Sequence, residues 1–309
     1  MFLNKYFVKK LLYIGLIFLI VAILIFGSMK FFSDPVVSLL GYKSTYQQRE
    51  QLRIQLGLDK SFLEQFFRYF YNIIFKWDFG KSYVYPEISA LSLFIRSFKI
   101  TFTITCCSCL IASLIGIFLG YLSARNYKSK IDYILIFTSI LFISMPSFII
   151  GFLLQYFFAF YFNLLPISGL DQIKSWILPI ASLSLIAVFS IFRIARSTLI
   201  SVSNQPFVIA ARAKGLSQER IWFKHILKNS LVPIFTHVSL IFNFMLSGAI
   251  ILESIFNLKG LGLLMFDSFN QRDLPVLQCC VIMLSLVISL IGILVELLCY
   301  FIDPTFTKK

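Results

Sequence analysis

The chain has 309 residues, of which 59% are hydrophobic and only 14% charged, with a mean hydropathy of +0.86. Soluble globular domains are about half apolar, so this composition excludes an ordinary soluble enzyme. The 28 Lys and Arg outnumber the 14 Asp and Glu, yet long stretches carry no charge, which points to membrane orientation and not to nucleic acid. Neither zinc-finger spacing nor basic residues interleaved with aromatics accompany the excess.

Crossing the hydrocarbon core takes about 20 apolar residues, so the gaps between consecutive charges can be measured against that length. Five gaps fit one helix each: Lys10 to Lys30, Lys99 to Arg125, Lys174 to Arg193, Lys228 to Glu253 and Asp273 to Glu296. The gap from Asp132 to Asp171 holds 38 uncharged residues, and cutting it at Pro146 leaves two pieces too short to cross. One long, kinked or tilted helix over about 133–163 is therefore expected, followed by a polar turn at Pro166, Ser168 and Gly169. The expected fold is an all-α polytopic membrane protein with six transmembrane helices.

Lys5, Lys9 and Lys10 precede the first apolar run as in a signal peptide, but the run is long enough to span and no clean cleavage site follows, so it is read as a retained anchor. With the N-terminus inside, the cytoplasmic segments carry 15 Lys and Arg and the two short outer loops carry 3. The loop over 30–99 carries 10 but is long enough to translocate regardless of charge. This divides the chain into an anchor (1–30), an extracytoplasmic module (31–99), a five-span core (100–302) containing the cytoplasmic loop 193–230, and a cytoplasmic tail (303–309). Two short helices joined at Gly57 are expected in the module, either as a cap or as a docking surface for an external partner. Cys106, Cys107, Cys109, Cys279, Cys280 and Cys299 all fall in or beside spans, where they act as small apolar residues. The Cys-Cys-x-Cys run has no His or acid nearby, so no metal, disulfide framework or cofactor is expected.

The loop 193–230 is the most informative segment. Pro206 suits a first helical turn, and Phe207, Ala210 and Ala211 then fall on one face. Gly215 stands where a helix would need a left-handed cap. Ser217 followed by Glu219 starts a second helix, in which Arg220, Lys224 and Lys228 line one side. The short first helix could bind lipid headgroups or sit in a groove of a cytoplasmic protein.

Residues 210–233, Ala-Ala-Arg-Ala-Lys-Gly-Leu-Ser through Leu-Val-Pro, resemble the EAA loop of ABC-importer permeases in its dipeptide/oligopeptide/nickel form. Short matches follow in order along the whole length: Ser33-Asp34-Pro35, Leu56-Gly57-Leu58-Asp59, Trp77 to Ser82, Ser144 to Phe148, Leu165 to Gly169, Glu253-Ser254-Ile255-Phe256, Lys259 to Gly262, Arg272 to Val276 and Ile302-Asp303-Pro304. The long first loop and the Glu-Ser-Ile-Phe block resemble the B-type subunit. Two departures stand out: the motif's glutamate is Ile209, and its closing Leu-Pro is Leu227-Lys228.

The resemblance implies a type I importer permease fold in a bacterial cytoplasmic membrane, both termini inside. It implies a pore shared with a sister permease, two cytoplasmic ATP-binding subunits, an extracytoplasmic solute-binding protein and surrounding lipid as partners. The coupling helix would comprise Phe207, Ala210, Ala211, Arg212, Ala213 and Lys214, ended by Gly215. No G-x-x-x-x-G-K-[ST] loop is present, so ATP hydrolysis belongs on another chain and no catalytic residue is expected. Peptides are the first expected cargo, with nickel, glutathione and other small solutes behind.

A secondary transporter is the alternative, but it would need carboxylates at mid-membrane, and Glu253 and Glu296 lie near span ends. An intramembrane protease would need a facing nucleophile and base, which Ser247, His225 and His237 do not supply. Ser247, Gly248 and Ala249 read instead as small residues that permit close packing. Asn243, costly against lipid, should face the pore or a subunit interface; Glu253 is either a gate residue or an interfacial acid bonded to a neighbouring loop.

Overall fold

A computed structural model describes residues 2–32, 36, 40, 44–55, 57–170, 172–248 and 250–302. The matches at Ser33-Asp34-Pro35, Leu56 and Asp303-Pro304, the position of Ala249, the charge boundary at Asp171 and the tail 303–309 lie outside the described residues. The described regular structure is helical, apart from one antiparallel bridge between Lys81 and Ser89. In chain order the helices are α1 (Phe2–Phe32), α2 (Tyr46–Gln55), α3 (Phe62–Lys76), α4 (Ala90–Arg125), α5 (Lys130–Ser144), α6 (Ser147–Leu154), α7 (Ile177–Ser203), α8 (Pro206–Ala213), α9 (Gln218–Arg220), α10 (Lys228–Gly248), α11 (Ile250–Ile255), α12 (Leu261–Asn270) and α13 (Leu274–Ile302).

Four helical stretches are long and apolar enough to cross a membrane, at 90–125, 173–203, 218–247 and 274–302, and five if α5 with α6 counts as one. In α1 the described apolar stretch, Leu12–Gly27, falls below that length. The expected single helix over 133–163 is instead broken, with a bend of 98° between Lys130–Ser144 and Ser147–Tyr161. Pro146 is the cause: its ring bars the preceding residue from helical backbone, and Met145 is extended at φ −80°, ψ 129°. Each arm has 15 residues, about 22 Å, so neither crosses alone as a straight helix. The second arm ends in a π-helical turn, Gln155–Tyr161.

The chain divides into two compact units, residues 1–100 with 259–290 and residues 101–258 with 291–309. In the first, α2 and α3 form the expected pair, joined through Gly57 at φ +67°. Ser61 caps α3 by accepting from the Glu64 amide. The loop before α4 is held by Asp273, only 3% exposed, which accepts from Ser82 Oγ and from the amides of Tyr83 at 3.0 Å and Val84 at 3.4 Å. Ser82 Oγ in turn accepts from the Tyr85 amide at 2.9 Å. Burial, with the Asp273 carboxylate adding to it, pushes the Tyr83 phenol up to about 12.

The second unit is built on α7, against which α5, α6 and α10 pack. The sequence gives α4 a Gly-x-x-x-Gly face, and it seats α4 on α7: a Cβ on Gly116 would meet the Val188 carbonyl at 2.8 Å, and one on Gly120 would meet Ala195 Cβ at 2.6 Å. Gly151 similarly admits Leu252 of α11 against α6, where a Cβ would fall 2.6 Å from Leu252 Cδ2. Gln155 Nε2 donates to the carbonyls of Ile167 at 2.8 Å and Ile255 at 3.3 Å, and the Gly169 amide donates to Phe256 O at 3.0 Å. The broken helix is thus tied to the Glu-Ser-Ile-Phe block.

Candidate coupling site and buried polar centres

The loop after α7 turns at Asn204 and Gln205 and enters α8 with Pro206 in the first helical turn, where its missing N–H leaves no bond unmade. Lys214 caps the end, and Gly215 follows at φ +73° with its amide donating to Arg212 O at 3.0 Å. The left-handed turn expected at Gly215 is therefore present, and nothing lies within 4 Å of where a Cβ would stand. Its requirement is conformational and not one of space.

α8 stands on an apolar base. Val208 and Ala211, one turn apart, are buried with Leu199 of α7, Ala124 of α4, and Ile221, Trp222 and Ile226 of the following segment. Tyr121 closes the base with its ring edge-on to Trp222 at 5.6 Å. The expected face of Phe207, Ala210 and Ala211 is thus split: Ala211 is 6% exposed and points into its own chain, because the apolar contact available at that azimuth is intramolecular. Ile209, Ala210 and Ala213 point away from the base, flanked by Phe207, Arg212 and Lys214, and all six are exposed. Ile209, at the position of the motif's glutamate, is 60% exposed. The second helix also departs from expectation. Ser217 stands at its start, but Ile221–Leu227 form a π-helical turn, so Arg220, Lys224 and Lys228 do not keep the α-helical i, i+4 register.

Beside this base lies a cluster that the sequence did not advertise. Asp132, 1% exposed at the start of α5, takes a two-pronged bond from Arg196 of α7, Nε to Oδ1 at 2.7 Å and Nη2 to Oδ2 at 2.8 Å. Ser123 Oγ donates to Oδ1, and the Lys128 amide donates to Oδ2 at 3.0 Å. Arg196 also stacks over the Tyr127 ring at 5.6 Å. Ser123 adjoins Ala124, and Arg196 lies one turn from Leu199, so the charge cluster and the apolar base share two helices.

Glu253 lies inside the second unit, 2% exposed, accepting from Thr101 Oγ1 at 2.6 Å. The two residues, with Thr105, Pro179, Leu183 and Leu252 among others, line a cavity of about 10 Å3, close to what a single water needs. Thr105 Oγ1 is buried there without a hydrogen-bond partner. Asn243 on α10 likewise has a buried Oδ1 with no partner, while its neighbours Leu240 and Phe244 are 62% and 74% exposed. His237 and Ser190 pair at 3.0 Å. Among the described residues no three His, Cys, Asp or Glu side chains are grouped to hold a metal ion.

The family described as "Binding-protein-dependent transport system inner membrane component" matches residues 116–308, and its N-terminal counterpart matches residues 3–103. The chain is 31% identical to the dipeptide transport system permease protein DppB of Lactococcus lactis subsp. cremoris, over 97% of this chain and 98% of that one. It is 34% identical to the glutathione transport system permease protein GsiC of Pectobacterium atrosepticum and 32% identical to that of Escherichia coli K12, over 99% of each chain in both cases. A chain of the MetNI methionine ABC transporter, solved in an inward-facing conformation, superposes with a TM-score of 0.59 at 17% identity, covering 69% of this chain and 97% of that one. With matches that run nearly end to end, the chain belongs to the family of inner-membrane permease components of binding-protein-dependent ABC importers.

Proposed function

We propose that this permease imports small peptides, working with a sister permease, two cytoplasmic ATP-binding subunits and an extracytoplasmic binding protein. Like its family it is a transport subunit and not a catalyst, with ATP hydrolysis on separate chains. Peptide cargo is supported by the names of the relatives, one a dipeptide and the others a glutathione permease, since glutathione is itself a short peptide. Both termini and α8 lie on the cytoplasmic side in this reading, as the Lys and Arg asymmetry requires.

The observation that carries coupling is the outward ridge of Ile209, Ala210 and Ala213 on a helix footed by Val208 and Ala211. Small side chains let a partner's groove approach the backbone, and a fixed base lets a push on the helix reach α4 and α7 as one body. Uptake measured in proteoliposomes holding the whole complex tests the reading. Labelled di- and tripeptides should accumulate with ATP and binding protein, and nickel ion should not. Nickel uptake without peptide uptake would overturn the cargo, and peptide uptake without ATP-binding subunits would overturn the importer mechanism.

A further inference from the structure

The helix α3 carries more apolar surface than its neighbours in the first unit cover. Glu64, Arg68, Asn72 and Lys76 recur every four residues and form one polar stripe; nearly all the rest of the helix is aromatic or aliphatic. One apolar side is accounted for by α1. Phe66 meets Phe26 edge-on at 5.4 Å, Tyr69 stacks on Phe26 at 5.7 Å, and Phe70 meets Phe18 at 6.1 Å. The other side is open: Leu63, Phe67, Tyr71, Ile74 and Phe75 are all exposed.

The place of the ring contacts says what meets that open side. Phe18 and Phe26 both lie in the apolar stretch Leu12–Gly27 of α1, eight residues or about 12 Å apart along the helix. Among the described side chains of that stretch no Lys, Arg, Asp or Glu occurs, and Leu12, Leu16, Ile17, Ile20, Ile23 and Leu24 are exposed, as suits a surface bathed in hydrocarbon. A helix whose rings reach α1 at these two levels stands at the same depth. We infer that α3 is embedded in the bilayer beside α1, with Leu63, Phe67, Tyr71, Ile74 and Phe75 packed against lipid acyl chains and the stripe of Glu64, Arg68, Asn72 and Lys76 turned to water and headgroups. The exposed ion pair of Lys60 and Glu64, 2.7 Å apart, marks the end of the helix that meets water. Lys76 folds back along the helix, its Nζ lying over the Tyr71 ring at 5.7 Å, so its stem covers apolar surface while the charge stays on the polar stripe. The buried Tyr69 hydroxyl, which has no hydrogen-bond partner, fits a water-poor setting. On this account α3 anchors the segment after α1 to the membrane, leaving α2 and the loop 77–89 as the parts a soluble protein could touch.

The inference rests on the membrane assignment but not on the cargo or the coupling, and its test is separate from theirs. In the whole complex in phosphatidylethanolamine–phosphatidylglycerol liposomes, with native cysteines replaced, nitroxide labels are placed by Phe67→Cys and Ile74→Cys and, as water-facing references, by Lys60→Cys and Glu64→Cys. Collision with oxygen relative to a water-soluble nickel chelate should be several-fold higher at 67 and 74 than at 60 and 64. Equal nickel access at all four positions would overturn the inference. So would nickel access at 67 and 74 that disappears only when the binding protein is added, since the face would then be a protein-docking surface. On the unmodified chain, a lipid with a photoreactive acyl chain should cross-link within residues 63–75. Capture by α1 without capture by that peptide would overturn it as well.

Discussion

Each of the two units holds a buried carboxylate that braces it from within, Asp132 in the second unit and Asp273 in the first, and the two do so by different chemistry. Asp132 is held by a guanidinium in a two-pronged bond, with one serine and one amide completing its shell. Asp273 is held by a serine hydroxyl and two backbone amides, all of them neutral donors. The first centre carries charge on both sides, so removing one side strands the other; the second shapes a loop with neutral donors and has a softer failure. The difference also matches position in the chain: Asp132 and Arg196 bind separate helices beside the base of α8, whereas Asp273 braces a loop against the start of α13.

The same substitution at both sites breaks the comparison most sharply. Asp132→Asn should cost about 3 kcal/mol in unfolding experiments on the purified protein, the low end for a broken buried pair because Arg196 keeps a fifth of its surface exposed. Adding Arg196→Met should recover part of that loss, which a single-site defect would not allow. Asp273→Asn keeps an acceptor for one of the donors and should cost about 1–2 kcal/mol. Equal losses at the two positions would mean that the charge of Arg196 does not set the difference. Gly215→Val, forced into a left-handed backbone, should cost about 1 kcal/mol or reorient α8, and the shift would show as altered protease sensitivity at 212–220. The smallest effect is expected for Thr105→Val. Its hydroxyl makes no bond, so replacing it with a methyl of the same shape should leave thermal stability unchanged or slightly raised.

What could be read in advance divides along physical lines. Pro206 and Gly215 announce α8 because each acts through its own backbone, and Gly57 announces the α2–α3 turn for the same reason. The packing face of Gly116 and Gly120 was not read in advance, because two small residues in an apolar run acquire that role only from their contact with α7. The orientation of α8 was hidden because eight residues with Ala at 210, 211 and 213 give no contrast in hydrophobicity between its sides. Pro146 was visible, but a length argument favoured one helix over two short arms, and the tie through Gln155 to Ile167 and Ile255 that supports a broken one depends on residues up to 100 apart. Asp132 and Arg196 stand 64 residues apart, and no local pattern pairs them. Glu253, near a span end, read as either a gate residue or an interfacial acid, and its enclosure with Thr101 was hidden because that contact spans 152 residues.

Val208 and Ala211 hold α8 to this chain, and we propose that its exposed Ile209, Ala210 and Ala213 side meets an ATP-binding subunit. Ala211→Glu cannot separate assembly from folding, because it places a charge in the base itself. Co-purification of the ATP-binding subunits with Ala213→Glu, set beside the paired change Arg212→Ala with Lys214→Ala, is the direct measurement. The account expects Ala213→Glu to lose the subunits while the permease stays folded in the membrane, and the paired change to retain them. Undiminished assembly with Ala213→Glu, together with loss in the paired change, would contradict it and make α8 a helix that binds lipid headgroups.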